Sequence, residues 1–315
     1  MVIAIHGGAG VILRDWLTEE MERLYRQGLE ESLVAGYAVL KKNGPAIEAV
    51  QQAVVVLEDN PLFNAGRGSV LSHEGRCEMD AAIMDGRTRM AGAAAGVTGV
   101  KNPVVLARTI MERSSHVMLC GKGAEEFAQD NGLIFEPPSY FITEHRVHQW
   151  EKVRGTHKTL LDHSDKRDFP PGGPEEIMNK SGTVGAVALD ASGNLAAATS
   201  TGGMTNKRWG RVGDSPLIGA GTFADSFVAV SCTGHGEYFM RHVVAHEVSA
   251  LVRYGGMDLA AAARHVIFND LLSAGGEGGL IAVDREGNIA TPFNTPGMYH
   301  GLIDASGRIF TGIFQ

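Results

Sequence analysis

Short apolar runs and longer one-sided ones alternate along the first half of the chain. Residues 2–5 are apolar throughout and predict a strand, which runs into His6-Gly7-Gly8-Ala9-Gly10. From about Thr18 to Lys42, Leu, Tyr and Val recur on one helical face, and Asn43-Gly44 supplies the stop. Pro45 suits the first turn of a second helix ending near Glu58. Two apolar runs around Asp85-Gly86 predict a hairpin within 77–98, Asn102-Pro103 opens another helix, and HVMLC over 116–120 reads as a buried strand.

The texture changes at residue 151. Twelve of residues 151–182 are charged, and the middle holds Pro170-Pro171-Gly172-Gly173-Pro174, which predicts a linker. After it the chain is β-rich. GTVGAVALD and NLAAATST predict paired strands joined at Asp190-Ala191-Ser192-Gly193, a related pattern turns at Asp284 to Gly287, and a third turn is Asp304-Ala305-Ser306-Gly307. Helices are expected at about 236–254 and 257–273. The spacing of the hairpins is not constant, so they form no solenoid. Strand runs with helices on both sides of a linker predict an α+β fold, a four-layer α/β/β/α sandwich.

Composition narrows the class. The 41 glycines among 315 residues are about twice the usual share, roughly 7%. With 44% hydrophobic residues and no Gly-X-Y period, they are neither collagen nor disorder, so they mark turns and close backbone approaches. Eleven of them fall between Gly182 and Gly236. A net charge of −8 without a long basic run argues against nucleic acid as a partner. No apolar run reaches the roughly 18 residues of a membrane helix, and the start MVIAIHGGAG lacks the basic region of a signal peptide. Cys77, Cys120 and Cys232 have neither metal spacing nor an even count. A cytoplasmic protein is the expectation, and it makes the glycosylation-like Asn179-Lys180-Ser181 uninformative.

Several tempting motifs lack parts. Gly66-x-Gly68, Gly121-x-Gly123, Gly219-x-Gly221 and Gly234-x-Gly236 all miss the third glycine of a dinucleotide loop. HGGAG looks like an oxyanion loop, but no G-x-S-x-G elbow accompanies it. His242 and His246 share a helical face at i, i+4, yet no third metal ligand is evident, and His145 with His148 is equally thin. The richest segment is 181–236. Thr183 follows Gly182 directly after the linker and starts a strand, and Thr201 closes the next one. Arg211 and Asp214 stand three apart between glycines, and Thr233-Gly234-His235-Gly236 joins a strand to a helix start.

In this company the chain resembles the plant-type asparaginase/isoaspartyl peptidase family of N-terminal nucleophile hydrolases. The resemblance rests on AIHGGAG (4–10), LEDNPLFNAGRGSV (57–70), EMDAAIMDG (78–86), GTVGAVALD (182–190), AATSTGGMTNK (198–207), GRVGDSPLIGAG (210–221), SCTGHGE (231–237) and GGLIAVD (278–284). It is weakest in the linker and over 133–150.

The resemblance implies one domain over 1–315 that cuts itself between Gly182 and Thr183, giving subunits 1–182 and 183–315, with a linker from about 155 to 182. It implies Thr183 as nucleophile, its freed α-amine as base, and L-asparagine or isoaspartyl dipeptides as substrates. An α-amine of pKa about 7.7–8.0 retains a neutral fraction near pH 7. By the same resemblance, Thr201 hydrogen-bonds the nucleophile, and Thr233 with the N–H of Gly234 forms the oxyanion hole. Arg211 and Asp214 grip the substrate's α-carboxylate and α-ammonium, Gly236 contacts the ammonium, and Asn64 orders water. Backbone carbonyls of Leu57, Glu58, Asn60, Phe63, Ala65 and Arg67 are implied to hold a structural Na⁺, with no catalytic cofactor, and processed protomers to form a homodimer. His235 replaces a small hydroxyl residue, and Arg208 and Trp209 precede the binding arginine, so these three bear on specificity. The open alternatives are a glycosylasparaginase, a threonine endopeptidase, or an uncleaved protein that binds amino acids.

Overall fold

In a computed structural model, which describes residues 1–156, 159 and 182–315, two β-sheets stack between helices. The strands are β1 (Val2–Gly10), β2 (Met79–Asp85), β3 (Ala91–Val97), β4 (Met118–Cys120), β5 (Val184–Leu189), β6 (Leu195–Thr201), β7 (Thr222–Ala224), β8 (Val228–Gly234), β9 (Gly278–Asp284), β10 (Ile289–Ala290), β11 (Gly297–Ile303) and β12 (Ile309–Phe314). The larger sheet runs β12-β11-β1-β5-β6-β2-β3-β4 and the smaller β10-β9-β8-β7. The helices are α1 (Glu19–Lys41), α2 (Ala46–Asp59), α3 (Pro103–Arg113), α4 (Gly121–Asp130), α5 (Pro138–Phe141), α6 (Glu144–Glu151), α7 (Gly236–His242), α8 (Val244–Arg253) and α9 (Leu259–His265).

Side chains alternate across a strand with a period of two, and here both faces are covered. Val2 and Ala4 of β1, with Val187 and Leu189 of β5, join the core between the sheets. Ile3 and Ile5, with Val184, Ala186 and Ala188, join a second core beneath α1 and α2. The outer helices α8 and α9 close the smaller sheet. This is the expected α/β/β/α sandwich.

The local signals act as their chemistry dictates. Thr18 caps α1 by accepting the Met21 N–H. Each of the three Asp turns closes on itself: Oδ1 of Asp190, Asp284 and Asp304 accepts the backbone N–H groups two and four residues on.

Two expectations need correcting. β4 is not buried: Met118 and Cys120 are exposed, because among the described residues β4 is an edge strand paired only with β3. The helix expected over 236–254 is broken at Val243, which is left-handed (φ 49°, ψ 44°). The first amides of α8 are taken elsewhere, Ala245 N–H by the Ala220 carbonyl and His246 N–H by the Gly219 carbonyl. That break puts His242 and His246 on different helices. The linker expected over 155–182 falls almost wholly outside the described residues.

One small residue admits the polar contacts between the layers. Gly185 lies in β5 directly between His6 of β1 and Thr199 of β6. Ser231 of the facing sheet drops onto that gap, where its Oγ is 2.9 Å from His6 Nε2 and 2.7 Å from Thr199 Oγ1. A methyl group on Gly185 would stand 2.0 Å from Ser231 Oγ and 2.6 Å from His6 Nε2. Gly185→Ala is therefore expected to cost about 1–3 kcal/mol in denaturant unfolding, by overpacking. An unchanged midpoint would show that the sheets part freely at this point.

Candidate active site

Thr183 stands immediately before β5, whose neighbours in the sheet fix the surroundings. Gly182, Thr183, Thr201, Arg211, Asp214 and Gly234 line one cavity together with Gly203, Met204, Gly213 and Ser215. Six residues singled out from the sequence thus meet in one place, although they come from four segments of the chain. Thr183 Oγ1 donates to Thr201 Oγ1 at 3.1 Å. Thr201 Oγ1 also accepts the Gly203 N–H at 3.0 Å, so the turn after β6 holds it.

The other expected residues stand around this cavity. Thr233 is fully buried beside Gly234, and its Oγ1 accepts the Ala9 N–H at 3.2 Å, which leaves its own O–H to donate. Gly236 packs against Asp214 and Arg211: a Cβ there would be 2.8 Å from Asp214 Oδ1 and 2.9 Å from Arg211 Nη2. Asn64 holds backbone. Its Nδ2 donates to the Gly203 carbonyl and its Oδ1 accepts the Val70 N–H, so it braces the turn after Thr201.

The backbone at the Gly182–Thr183 junction is tightly held. β1 bulges between His6 and Gly8 and brings Gly8 (φ +114°) against Gly182, where a Cβ on Gly8 would stand 2.2 Å from the Gly182 nitrogen. The Thr183 carbonyl lies 2.9 Å from His6 Nδ1. A carbonyl oxygen only accepts, so Nδ1 carries the proton and Nε2 accepts from Ser231 Oγ. Ser231 then accepts from Thr199, completing a directed row from β6 through Ser231 of the smaller sheet to the Thr183 backbone. His6 is wholly buried, and burial pushes its pKa down to about 3 against the opposing bond to the Thr183 carbonyl.

Charge is arranged with equal care. Asp214 is buried and its pKa is raised to about 7, chiefly by burial, against the attraction of Arg211. Its Oδ2, Ser215 Oγ and, beside Gly202, Ser69 Oγ are buried with no hydrogen-bond partner among the described residues. Such orphaned oxygens mark places where a ligand or water supplies the missing partner. The cavity measures about 20 Å³ in the continuous chain, room for about one water and not for an amino acid.

Three charged residues escaped the sequence reading. Lys207 is buried, and its Nζ donates to the carbonyls of Gly202 and Glu78 at 2.9 and 2.6 Å, clamping the turn after Thr201. Burial pushes its pKa down, opposed by Asp80 and Glu78. Asp80, paired across the sheet with Thr201, is the nearby buried counter-charge. Glu237 binds Arg211 through both oxygens. All three stand within motifs quoted above, Asp80 in EMDAAIMDG, Lys207 at the end of AATSTGGMTNK and Glu237 at the end of SCTGHGE, but nothing there announced their contacts.

Carbonyls crowd two glycines of the loop after α2: a Cβ on Gly66 would stand 2.4 Å from the Glu58 carbonyl oxygen, and one on Gly68 would stand 2.5 and 2.8 Å from those of Pro61 and Phe63. Of the carbonyls expected around Na⁺, those of Glu58 and Phe63 are thus exposed to these turns, and oxygen donors of this kind suit a hard cation. No group of three or more His, Cys, Asp or Glu side chains suited to a metal occurs among the described residues. A larger cavity of about 300 Å³ lies along α3, lined among others by Lys101, Thr109 and Arg113, and holds none of the residues above.

Known proteins match this chain over nearly its whole length. The sequence profile described as Asparaginase matches residues 1–313. The chain is 50% identical to an isoaspartyl peptidase of Salmonella typhimurium, covering 100% of this chain and 98% of that protein. It is equally identical to an isoaspartyl peptidase of Escherichia coli, covering 100% and 96%. A plant-type L-asparaginase of Pyrococcus furiosus is 43% identical, over 96% of each chain.

The buried His6 makes stability depend on pH. In the unfolded chain it binds a proton near pH 6.5, and in the folded chain only near 3. The unfolded state thus holds more protons between these values, and stability falls as pH drops below about 6.5, by about 1.4 kcal/mol per unit. Urea unfolding at pH 7 and pH 5 is expected to show a loss about 2 kcal/mol larger for the native protein than for His6→Gln. Equal losses would mean that His6 is not held neutral.

Proposed function

Because this chain belongs to the asparaginase family, we propose that it is an amidohydrolase that frees its own Thr183 and then cleaves isoaspartyl dipeptides and L-asparagine. The observation that carries this is the meeting of Thr183 Oγ1 with Thr201 Oγ1, 3.1 Å apart, in a cavity shared with Arg211, Asp214 and Gly234. It is a nucleophile beside a zwitterion grip, at the head of a strand that follows a glycine.

Activation begins within the chain. Thr183 Oγ attacks the carbonyl carbon of Gly182, the peptide C–N bond breaks, and the nitrogen leaves as the Thr183 α-amine. Water then hydrolyses the resulting ester, giving a Gly182 carboxylate and restoring the hydroxyl. The contact of Gly8 on Gly182 and the bond of His6 to the Thr183 carbonyl hold both sides of the scissile bond. The cavity of about 20 Å³ fits a site that opens only after the cut.

In the cleaved protein the α-amine takes the Oγ proton as Oγ attacks the side-chain carbonyl of the substrate. Negative charge develops on that carbonyl oxygen, where the Thr233 hydroxyl and the Gly234 N–H are proposed to meet it. Arg211 takes the α-carboxylate, and Asp214 takes the α-ammonium, with Gly236 beside it. Ammonia or an amino acid leaves with the proton, and water releases aspartate from Thr183. Asp214 Oδ2, buried and without a hydrogen-bond partner among the described residues, supports its role: an ammonium would supply the missing donor.

The carbonyls of Leu57, Glu58, Asn60, Phe63, Ala65 and Arg67 are proposed to hold Na⁺. Such an ion would brace the loop that carries Asn64. We also propose a homodimer of processed protomers, on the family resemblance, in the cytoplasm, which the three unpaired cysteines support. No helix among the described residues is long and apolar enough to cross a membrane.

Thr183→Ala is expected to lower turnover of L-asparagine and β-aspartyl dipeptides by on the order of 10⁴ or more, to background. A panel adding glycosylasparagine reports the substrate class. Retained turnover by Thr183→Ala would remove Thr183 as the nucleophile.

A further inference from the structure

A guanidinium offers a carboxylate two edges, Nε with one Nη side-on, or the two Nη groups end-on. In Arg211 the side-on edge is already taken. Nε donates to Glu237 Oε1 and Nη2 to Glu237 Oε2, both at 2.9 Å. Nη1 makes no hydrogen bond among the described residues and lies against Gly213, where a Cβ would stand 2.8 Å from it. Gly213 lines the cavity. The end-on edge is thus the one that faces the substrate space.

Glu237 is itself held. His235 Nε2 stands 3.3 Å from its Oε2, and the His235 ring packs edge-on against Tyr238 at 4.8 Å. Burial pushes the Glu237 carboxyl up, and its bonds to Arg211 more than reverse that, leaving it below the usual range and ionised. The Glu237 side chain is 42% exposed, and a pair so exposed adds little to stability. Orientation is the role that the geometry leaves. Glu237 also follows Thr233 and Gly234 by only a few residues, so one backbone segment sets both the oxyanion contacts and the pose of Arg211.

We propose that Glu237 is a positioning residue for substrate binding, fixing the side-on edge of Arg211 so that its end-on edge is presented to the substrate α-carboxylate. The proposal rests on the reading that Arg211 binds that carboxylate. The contrary role is a plug, in which Glu237 competes with the substrate for Arg211, and it predicts the opposite sign.

Steady-state kinetics on fully cleaved protein separates these. Arg211→Ala, Glu237→Ala, Glu237→Gln and the Arg211→Ala/Glu237→Ala double variant are compared with the native protein, using L-asparagine. Glu237→Ala is expected to raise KM about 5- to 20-fold with kcat within about twofold, the signature of lost uniform binding. Glu237→Gln, which keeps one acceptor, should fall between, and it stands in if the alanine variant does not fold. The double variant should be no worse than Arg211→Ala alone. If Arg211→Ala leaves KM unchanged, the reading of Arg211 fails. If Arg211→Ala raises KM while Glu237→Ala leaves it unchanged or lowers it, the positioning role is overturned.

Discussion

His6 donates from Nδ1 to the carbonyl oxygen of Thr183 across 2.9 Å, and the site is arranged around that bond. It ties the first residue of the β5 segment to β1 just before the glycine bulge of that strand. The bond needs a proton on Nδ1. Burial keeps the imidazole neutral, the Thr183 carbonyl fixes that tautomer, and the row from Thr199 through Ser231 serves the bare Nε2. The row in turn needs the two sheets to touch at Gly185, the one position in β5 between His6 and Thr199. Sheet register, tautomer and nucleophile placement therefore depend on one another.

The same dry interior governs the electrostatics of the pocket. Arg211, Asp214, Asp80 and Lys207 stand close together in a region of low dielectric, where each charge is costly alone. Lys207 is balanced by Asp80 and by two carbonyls, so it is complete and rigidifies the turn behind Thr201. Asp214 is incomplete, with one oxygen unpartnered. That contrast separates the framework of the site from the part of it that awaits a ligand.

Much of this was legible in the sequence, and what was not has physical causes. The strands and turns came through because period-two patterns and Asp-to-Gly turns act locally. The exposure of β4 did not, because HVMLC is apolar enough to be buried and only its place at the sheet edge exposes it. The break at Val243 did not, because carbonyls of Gly219 and Ala220, distant in sequence, claim the amides of the next helix. At the site, motif residues such as Thr183, Arg211 and Asp214 were readable one by one. Glu237 was not, since a glutamate in the first turn of a helix reads as a dipole complement, and its partner Arg211 is 26 residues away. The cluster of glycines between Gly182 and Gly236 pointed to the region that lines this cavity, but space at Gly213 and Gly236 acquires meaning only once Arg211 and Asp214 are seen lying against them.

The proposed chemistry stands or falls with the chain making its own catalyst by cutting before Thr183. Intact-mass spectrometry of purified native protein, followed over days alongside asparaginase activity, tests this most directly. The 33.5 kDa chain is expected to give way to two fragments, one beginning at Thr183 with a free α-amine, with activity rising in step with them. A persistent single chain that hydrolyses L-asparagine at full rate, or a cut at any other bond, would contradict it.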